Sequence, residues 1–153
     1  MARKNNVKLK KLYGNEQKLV LDLIHSDEEL VETFSGSRNT VKRIANSGYT
    51  ALIKKGNTDV GFIMLVWNGK SEKFEIDMGI LSQYRGKGYG TQALALLKEI
   101  IINNPEKLDV EVQAKQVNEA AIRSIQKNGF VLYREDSECF YFKLPEGGKK
   151  HGR

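Results

Sequence analysis

Residues 83–94 read QYRGKGYGTQAL. Gly86, Gly88 and Gly90 stand at alternate positions, with the cations Arg85 and Lys87 among them. Glycine lets a backbone curl and come close to a ligand. A helix that starts here leaves its first N–H groups unpaired and its positive dipole end exposed. Together these features describe a cradle for a phosphate-like anion. The spacing is not G-x-x-x-x-G-K-[ST]. Nor is it G-x-G-x-x-G, because the third glycine falls one residue early. It is R-x-x-G-x-G, at Arg85, Gly88 and Gly90. A plain turn does not need three alternate glycines, which cost chain entropy. Arg85, Gly86, Lys87, Gly88, Tyr89 and Gly90 are therefore the candidate ligand contacts.

A second set of residues could move protons. In EKFEIDMGIL, residues 72–81, Phe74, Ile76, Met78 and Ile80 share one face of a strand, and Glu75, Asp77 and Gly79 share the other. On a solvated strand the two carboxylates would be an ordinary polar face. Two hairpins and a crossover flank this strand, however, which places it centrally, and buried carboxylates there call for a partner or a task. Glu75 and Asp77 are the candidate base or amine anchor. Tyr133, Tyr141 and Cys139 fall in a closing hairpin, where packing accounts for them; alternatively a hydroxyl of Tyr133, Tyr141 or Ser124 serves as an acid. Cys139 has no neighbouring histidine to activate it. His25 and His151 are too few and too scattered for a metal site. Asp27, Glu28, Glu29 and Glu32 read as a solvated helix face, or alternatively as a collar for a cationic substrate.

The elements that position these residues follow from periodicity. Residues 7–13 alternate apolar and cationic as a strand. Residues 15–25 have helical spacing. A second helix is expected with Ser26 as N-cap and Glu29 three residues on, breaking near residues 35–37. TVKRIAN, residues 40–46, reads as a third helical piece. Strands follow at 49–55, 59–67 and 72–81, joined by turns at GNT and NGK. After the glycines, Ala93, Leu94, Leu97, Ile100 and Ile101 stripe a helix that stops before Pro105. Residues 107–114 alternate as a strand. Asn118 is the expected N-cap of a last helix closed by Asn128 and Gly129, and a hairpin ends the chain. The order β-α-α-β-β-β-α-β-α-β-β implies an α/β (α+β) fold with a mixed, mostly antiparallel central sheet flanked by helices.

A length of 153 residues suits a single domain, expected over 1–144, with 145–153 as a basic, disordered tail. The net charge of +6 resides largely in the ends, which carry +2 each and leave a body of +2. That argues against a nucleic-acid surface. One cysteine cannot form an internal disulfide, which fits a reducing, cytoplasmic setting. Residues 1–14 lack the apolar stretch of a secretory signal, and the apolar run at 62–67 is too short to span a bilayer, so no membrane partner is expected.

The glycine segment, between the fourth strand and the following helix, resembles the GNAT superfamily of acetyl-CoA-dependent N-acyltransferases, whose signature there is Q/R-x-x-G-x-G/A. The resemblance covers roughly residues 49–144, and the N-terminal β-α-α also fits. NEAAIRSIQKNGF, residues 118–130, is similar to a second family element through Asn118, Ala121, Lys127, Gly129 and Phe130. The resemblance implies that residues 85–90 hold the pyrophosphate of acetyl-CoA and that Asn118 contacts its pantetheine region. It implies that Met78, Gly79 and Ile80 bind pantetheine along their backbone, with one N–H polarising the thioester oxygen. In some branches a glutamate lies ten residues before the Q/R, as Glu75 does before Arg85. The family often places a tyrosine acid where this chain has Ile125, with Ser124 beside it. A thiolate with a pKa of about 8.5 can leave unassisted.

The chemistry implied is direct transfer of an acetyl group from acetyl-CoA, as co-substrate and without a metal, to a primary amine of a small molecule or a protein. A homodimer is compatible with these features. Two other classes stay open: a CoA-binding regulatory module that has lost catalysis, and an RNA-associated protein using its basic ends.

Overall fold

The computed structural model describes residues 6–34 and 40–145. The basic ends and the expected break at 35–37 lie outside these. Seven strands form one sheet in the order β1-β2-β3-β4-β5-β7-β6. They are β1 (Lys8–Lys11), β2 (Ser47–Lys55), β3 (Thr58–Asn68), β4 (Lys73–Ile80), β5 (Val110–Lys115), β6 (Val131–Glu135) and β7 (Cys139–Lys143). The helices are α1 (Leu19–His25), α2 (Glu28–Thr33), α3 (Thr40–Ala45), α4 (Tyr89–Ile102) and α5 (Glu119–Lys127). All strand pairs are antiparallel except β4 with β5. The expected succession of strands and the central position of β4 are both present, and three α-helices rather than two separate β1 from β2.

Alternation along the strands divides the side chains between two apolar layers. Ile76, Val110, Val112 and Phe142 join Ala93, Leu94 and Leu97 of α4 and Ile125 of α5. Full burial of a leucine such as Leu94 or Leu97 stabilises by roughly 1.5–3 kcal/mol. The opposite layer packs Val20, Leu23 and Leu30 of α1 and α2 and Ile44 of α3 on Leu52, Phe62 and Met64, and includes no residue of β5, β6 or β7. Gly79 opens the space for this second layer. A Cβ there would stand 2.7 Å from the Phe62 ring and 2.9 Å from Leu30.

Three local expectations change. The N-cap of α2 is Asp27, whose Oδ1 accepts from the N–H groups of Glu29 and Leu30. Ser26 instead donates its hydroxyl to the Leu23 carbonyl at 2.6 Å. Residues 14–18 wind as a tighter 3-10 turn before α1. On α4 the buried stripe is Ala93, Leu94, Leu97 and Ile101, whereas Ile100 faces solvent.

Candidate active site

Strand β4 pairs with β5 at two rungs, Phe74 with Val110 and Glu75 with Glu111. Phe74 donates to the Asp109 carbonyl across this joint, so by alternation the backbones of Met78 and Ile80 also face the β5 side. Beyond Glu75, however, β5 pairs with β7 and leaves a gap beside β4. Met78 and Ile80 present their amides to that gap. Gly79, grouped with them from the sequence, turns its backbone toward Phe62 of β3.

The gap leads to the glycine turn. Gly86 and Gly88 have φ of 79° and 84°, in the left-handed region. Gly88 is the N-cap of α4, and no side chain caps that helix end among the described residues. Its first-turn N–H groups are thus available to an anion. A Cβ on Gly86 would meet open space. Gly90 lies against the Met78 and Ile80 side chains, and Tyr89 packs on the apolar layer. Lys87 is exposed. This donor set fits a diphosphate.

Arg85 is placed differently from its neighbours. Its Nε donates to the Ile80 carbonyl at 3.0 Å and its guanidinium pairs with Glu29. Asp27 accepts from the Ser82 N–H at 2.7 Å and from its hydroxyl at 2.9 Å. The Ser82 N–H holds the Asp27 carboxyl below its usual range, ahead of the opposing effect of burial, and the Ser82 hydroxyl and the Leu30 and Glu29 N–H groups add to it. Asp27, the N-cap of α2, and Glu29 within it therefore clamp the glycine turn to the helix, a role that neither a solvated face nor a substrate collar anticipates.

Glu75 and Asp77 are brought together by Arg43 of α3. Arg43 donates through Nε to Asp77 Oδ2 at 2.6 Å, and through Nη2 to Asp77 Oδ1 at 3.1 Å and Glu75 Oε1 at 2.9 Å. Glu75 Oε2 accepts from Asn68 at 2.8 Å. Asp77 is 2% exposed. Burial opposes the charge of Arg43, but the bonds and charges of Asp77 and Glu75 outweigh it and raise its pKa.

Asn118 caps α5, accepting from the Ala121 N–H at 3.1 Å. Ile125 lies in the core at 4% exposure, and Ser124 shares a 2.6 Å hydrogen bond with Thr91 of α4. Tyr141 donates to Asp136 at 2.6 Å, which pushes the phenol up to about 12. Cys139 is buried, with Gln113 directed at its sulfur.

Sequence reasoning named Tyr133 as a candidate hydroxyl but missed the residues gathered around it. Glu111, 3% exposed, accepts from the Tyr133 hydroxyl and from Arg134 Nη2 at 3.2 Å. Lys73 donates to Tyr133 at 3.2 Å. The one available signal was a glutamate in a strand that runs back into the sheet.

A parted sheet beside an uncapped, glycine-started helix is an architecture open to an extended anionic ligand. The family model described as an acetyltransferase (GNAT) domain matches residues 13–131. The chain belongs to the GNAT acetyltransferase family and is an acyltransferase of that type. No curated protein sequence matches it significantly. Among solved structures it is similar to AAC(6')-Ib in complex with acetyl-CoA, at 18% identity and a TM-score of 0.75 over 97% of this chain and 98% of that one. It is similar to Arabidopsis thaliana Naa50 bound to a CoA-peptide bisubstrate analogue, at 20% identity and 0.67 over 92% and 99%. A spermidine N-acetyltransferase chimera from Vibrio cholerae and hSSAT aligns at 14% identity and 0.68 over 97% and 99%. These likenesses establish a shared fold. No helix among the described residues is long and apolar enough to cross a membrane.

Proposed function

We propose that the chain transfers an acetyl group from acetyl-CoA to a primary amine by direct attack in a ternary complex. The observation that carries this reading is the β4–β5 gap opening from the uncapped start of α4. Residues 86–90 would hold the diphosphate, with Lys87 supplying charge and Arg85 bracing the turn from outside. Met78 and Ile80 would bind the pantetheine arm, and one of their N–H groups would polarise the thioester oxygen. Asn118, at the start of α5 beyond β5, is assigned to the same arm.

The amine acceptor approaches the opposite side of the thioester. An alkyl ammonium has a pKa near ~10.4 and must lose a proton before it attacks. Arg43 engages both Glu75 and Asp77, which favours their role as a charged anchor for the amine over that of a freely titrating base. Thermal unfolding with acetyl-CoA tests binding, since a ligand of the folded state raises the melting temperature. A panel of amines then tests transfer. Saturating acetyl-CoA without a stability gain would sink the site assignment. Binding without turnover of any amine would instead favour a regulatory CoA-binding module, a reading to which the Arg43-paired Glu75 and Asp77 and the buried Ile125 lend weight.

A further inference from the structure

We propose that Tyr133 is a catalytic residue, taking the proton of the attacking amine and passing its own to Glu111. The inference rests on the transfer reading above. Strand β4 spans about 17 Å from Ile80 back to Glu75 at ~3.3 Å per residue. A pantetheine arm anchored at the glycine turn and laid along Ile80 and Met78 runs toward the Glu75–Glu111 rung, where the strands close. With its oxygen on the Met78 amide, the thioester stops about 10 Å short of that rung at ~3.3 Å per residue, and the attacking amine takes the space between it and the two glutamates.

Those glutamates differ in their partners. Both oxygens of Glu75 are engaged, one by Arg43 and one by Asn68. Glu111 Oε2 takes the hydrogen bonds of Tyr133 and Arg134, and Oε1 accepts none among the described residues. A nearly buried carboxylate that already accepts the Tyr133 O–H can take its proton along a formed hydrogen bond. The Tyr133 hydroxyl links it to the half-exposed surface of the hairpin.

The charges facing this pair come from every strand around it. Lys73 of β4 donates to the phenol oxygen and lies 5.4 Å from the ring centre. Lys143 of β7 stands 4.8 Å from the ring centre, and Arg134 of β6 5.8 Å. Glu75 is the rung neighbour of Glu111. The hydrogen bond to Tyr133 raises the pKa of Lys73 against the opposing effect of burial, and the charges of Asp109 and Glu111 add to it. Three cations around one phenol favour transient negative charge on its oxygen.

The step balances as follows. The ammonium N–H proton moves to the Tyr133 oxygen while the Tyr133 proton moves to Glu111 Oε2. The freed nitrogen lone pair forms the N–C bond to the thioester carbonyl carbon, and the C–S bond breaks with its electrons on sulfur. The second nitrogen proton ends on the thiolate, giving coenzyme A and the amide, and Glu111 releases its proton to solvent.

The test compares the wild type with Tyr133→Phe, Glu111→Gln, their combination and Tyr141→Phe, using an amine from the panel. Tyr133→Phe is expected to lower kcat at neutral pH by about 10²-fold, within the range for lost acid–base catalysis, with acetyl-CoA affinity intact. The deficit should shrink as pH rises toward the amine pKa, because free amine needs no relay. The double variant should be no worse than the poorer single variant, and Tyr141→Phe should match wild type. Because Tyr133→Phe keeps the ring, a folding defect in Glu111→Gln alone leaves the pH profile decisive. A Tyr133→Phe enzyme within threefold of wild type at neutral pH, or a deficit equal at every pH, overturns the relay. Wild-type protein that binds acetyl-CoA but acetylates no amine overturns the transfer reading, and the relay with it.

Discussion

Arg43 Nε lies 2.6 Å from Asp77 Oδ2, joining helix α3 to the central strand through a carboxylate almost wholly out of water. Breaking a buried ion pair from one side leaves the remaining charge uncompensated, typically at about 3–5 kcal/mol. Arg43→Ala should therefore lower the unfolding free energy by about 3 kcal/mol in urea. Arg43→Lys should recover part of this, since one ammonium cannot reproduce the forked contact. If Glu75 serves as an anchor, Glu75→Gln should raise KM for the amine more than it lowers kcat. A kcat loss of 10²-fold with KM unchanged would return the base assignment to Glu75.

Gly88 combines a φ of 84° with the N-cap position of α4. A side chain there costs roughly 1–2 kcal/mol in the left-handed region and projects where the diphosphate is assigned. Gly88→Val should destabilise the free protein and reduce the melting shift given by acetyl-CoA. Gly14→Ala is the control, with φ of 54° and open space around it. It should cost comparable stability and keep the full shift.

Asp27 joins α2 to the turn after β4 through Ser82. Asp27→Ala should cost about 0.5–2 kcal/mol as a lost cap and weaken acetyl-CoA binding by loosening the glycine turn. The folded-state pKa of Asp27 is depressed. Its contribution is thus fully present above the unfolded value of about 3.9 and fades as pH falls through the lower folded value. Urea unfolding of wild type and Asp27→Ala should differ most near neutrality and converge in acid.

Ile125 occupies the position where the resemblance places a tyrosine acid, but it is sealed between α5 and the sheet. Ile125→Tyr should overpack the core at about 1–3 kcal/mol and bring no gain in rate. Ser124→Ala should retain near-full kcat, because that hydroxyl is spent on Thr91. A faster Ile125→Tyr enzyme would show that thiolate departure limits the wild type and that the core can open for the ring.

The parts of the site made by local pattern were legible in the sequence. Alternate glycines before an apolar stripe predict the turn and α4, and period-two alternation with flanking hairpins predicts a central β4. What stayed hidden depends on contacts between distant segments. Nothing in TVKRIAN marks Arg43 as the partner of carboxylates more than thirty residues away. Glu111 looks like any polar position on an alternating strand until β6 brings Tyr133 to it. Ser26 and Asp27 are both good capping residues, and only the approach of Ser82 decides between them. Ile100 keeps the helical spacing of the α4 stripe, yet it stands 40% exposed while Ala93, Leu94, Leu97 and Ile101 are buried.

The two-rung joint between β4 and β5 also has a mechanical meaning. The four strands before it and the three after it are separately well laced, but across the seam the backbone contributes little. What holds the two panels together is mainly the apolar layer under α4 and α5, on one side alone. Such a seam can flex about its packed side with little loss of backbone bonding. The Met78 and Ile80 amides, although in the middle of the sheet, should exchange with solvent deuterium faster than their neighbours Asp77 and Gly79. Acetyl-CoA should then slow them selectively, as an eighth strand would.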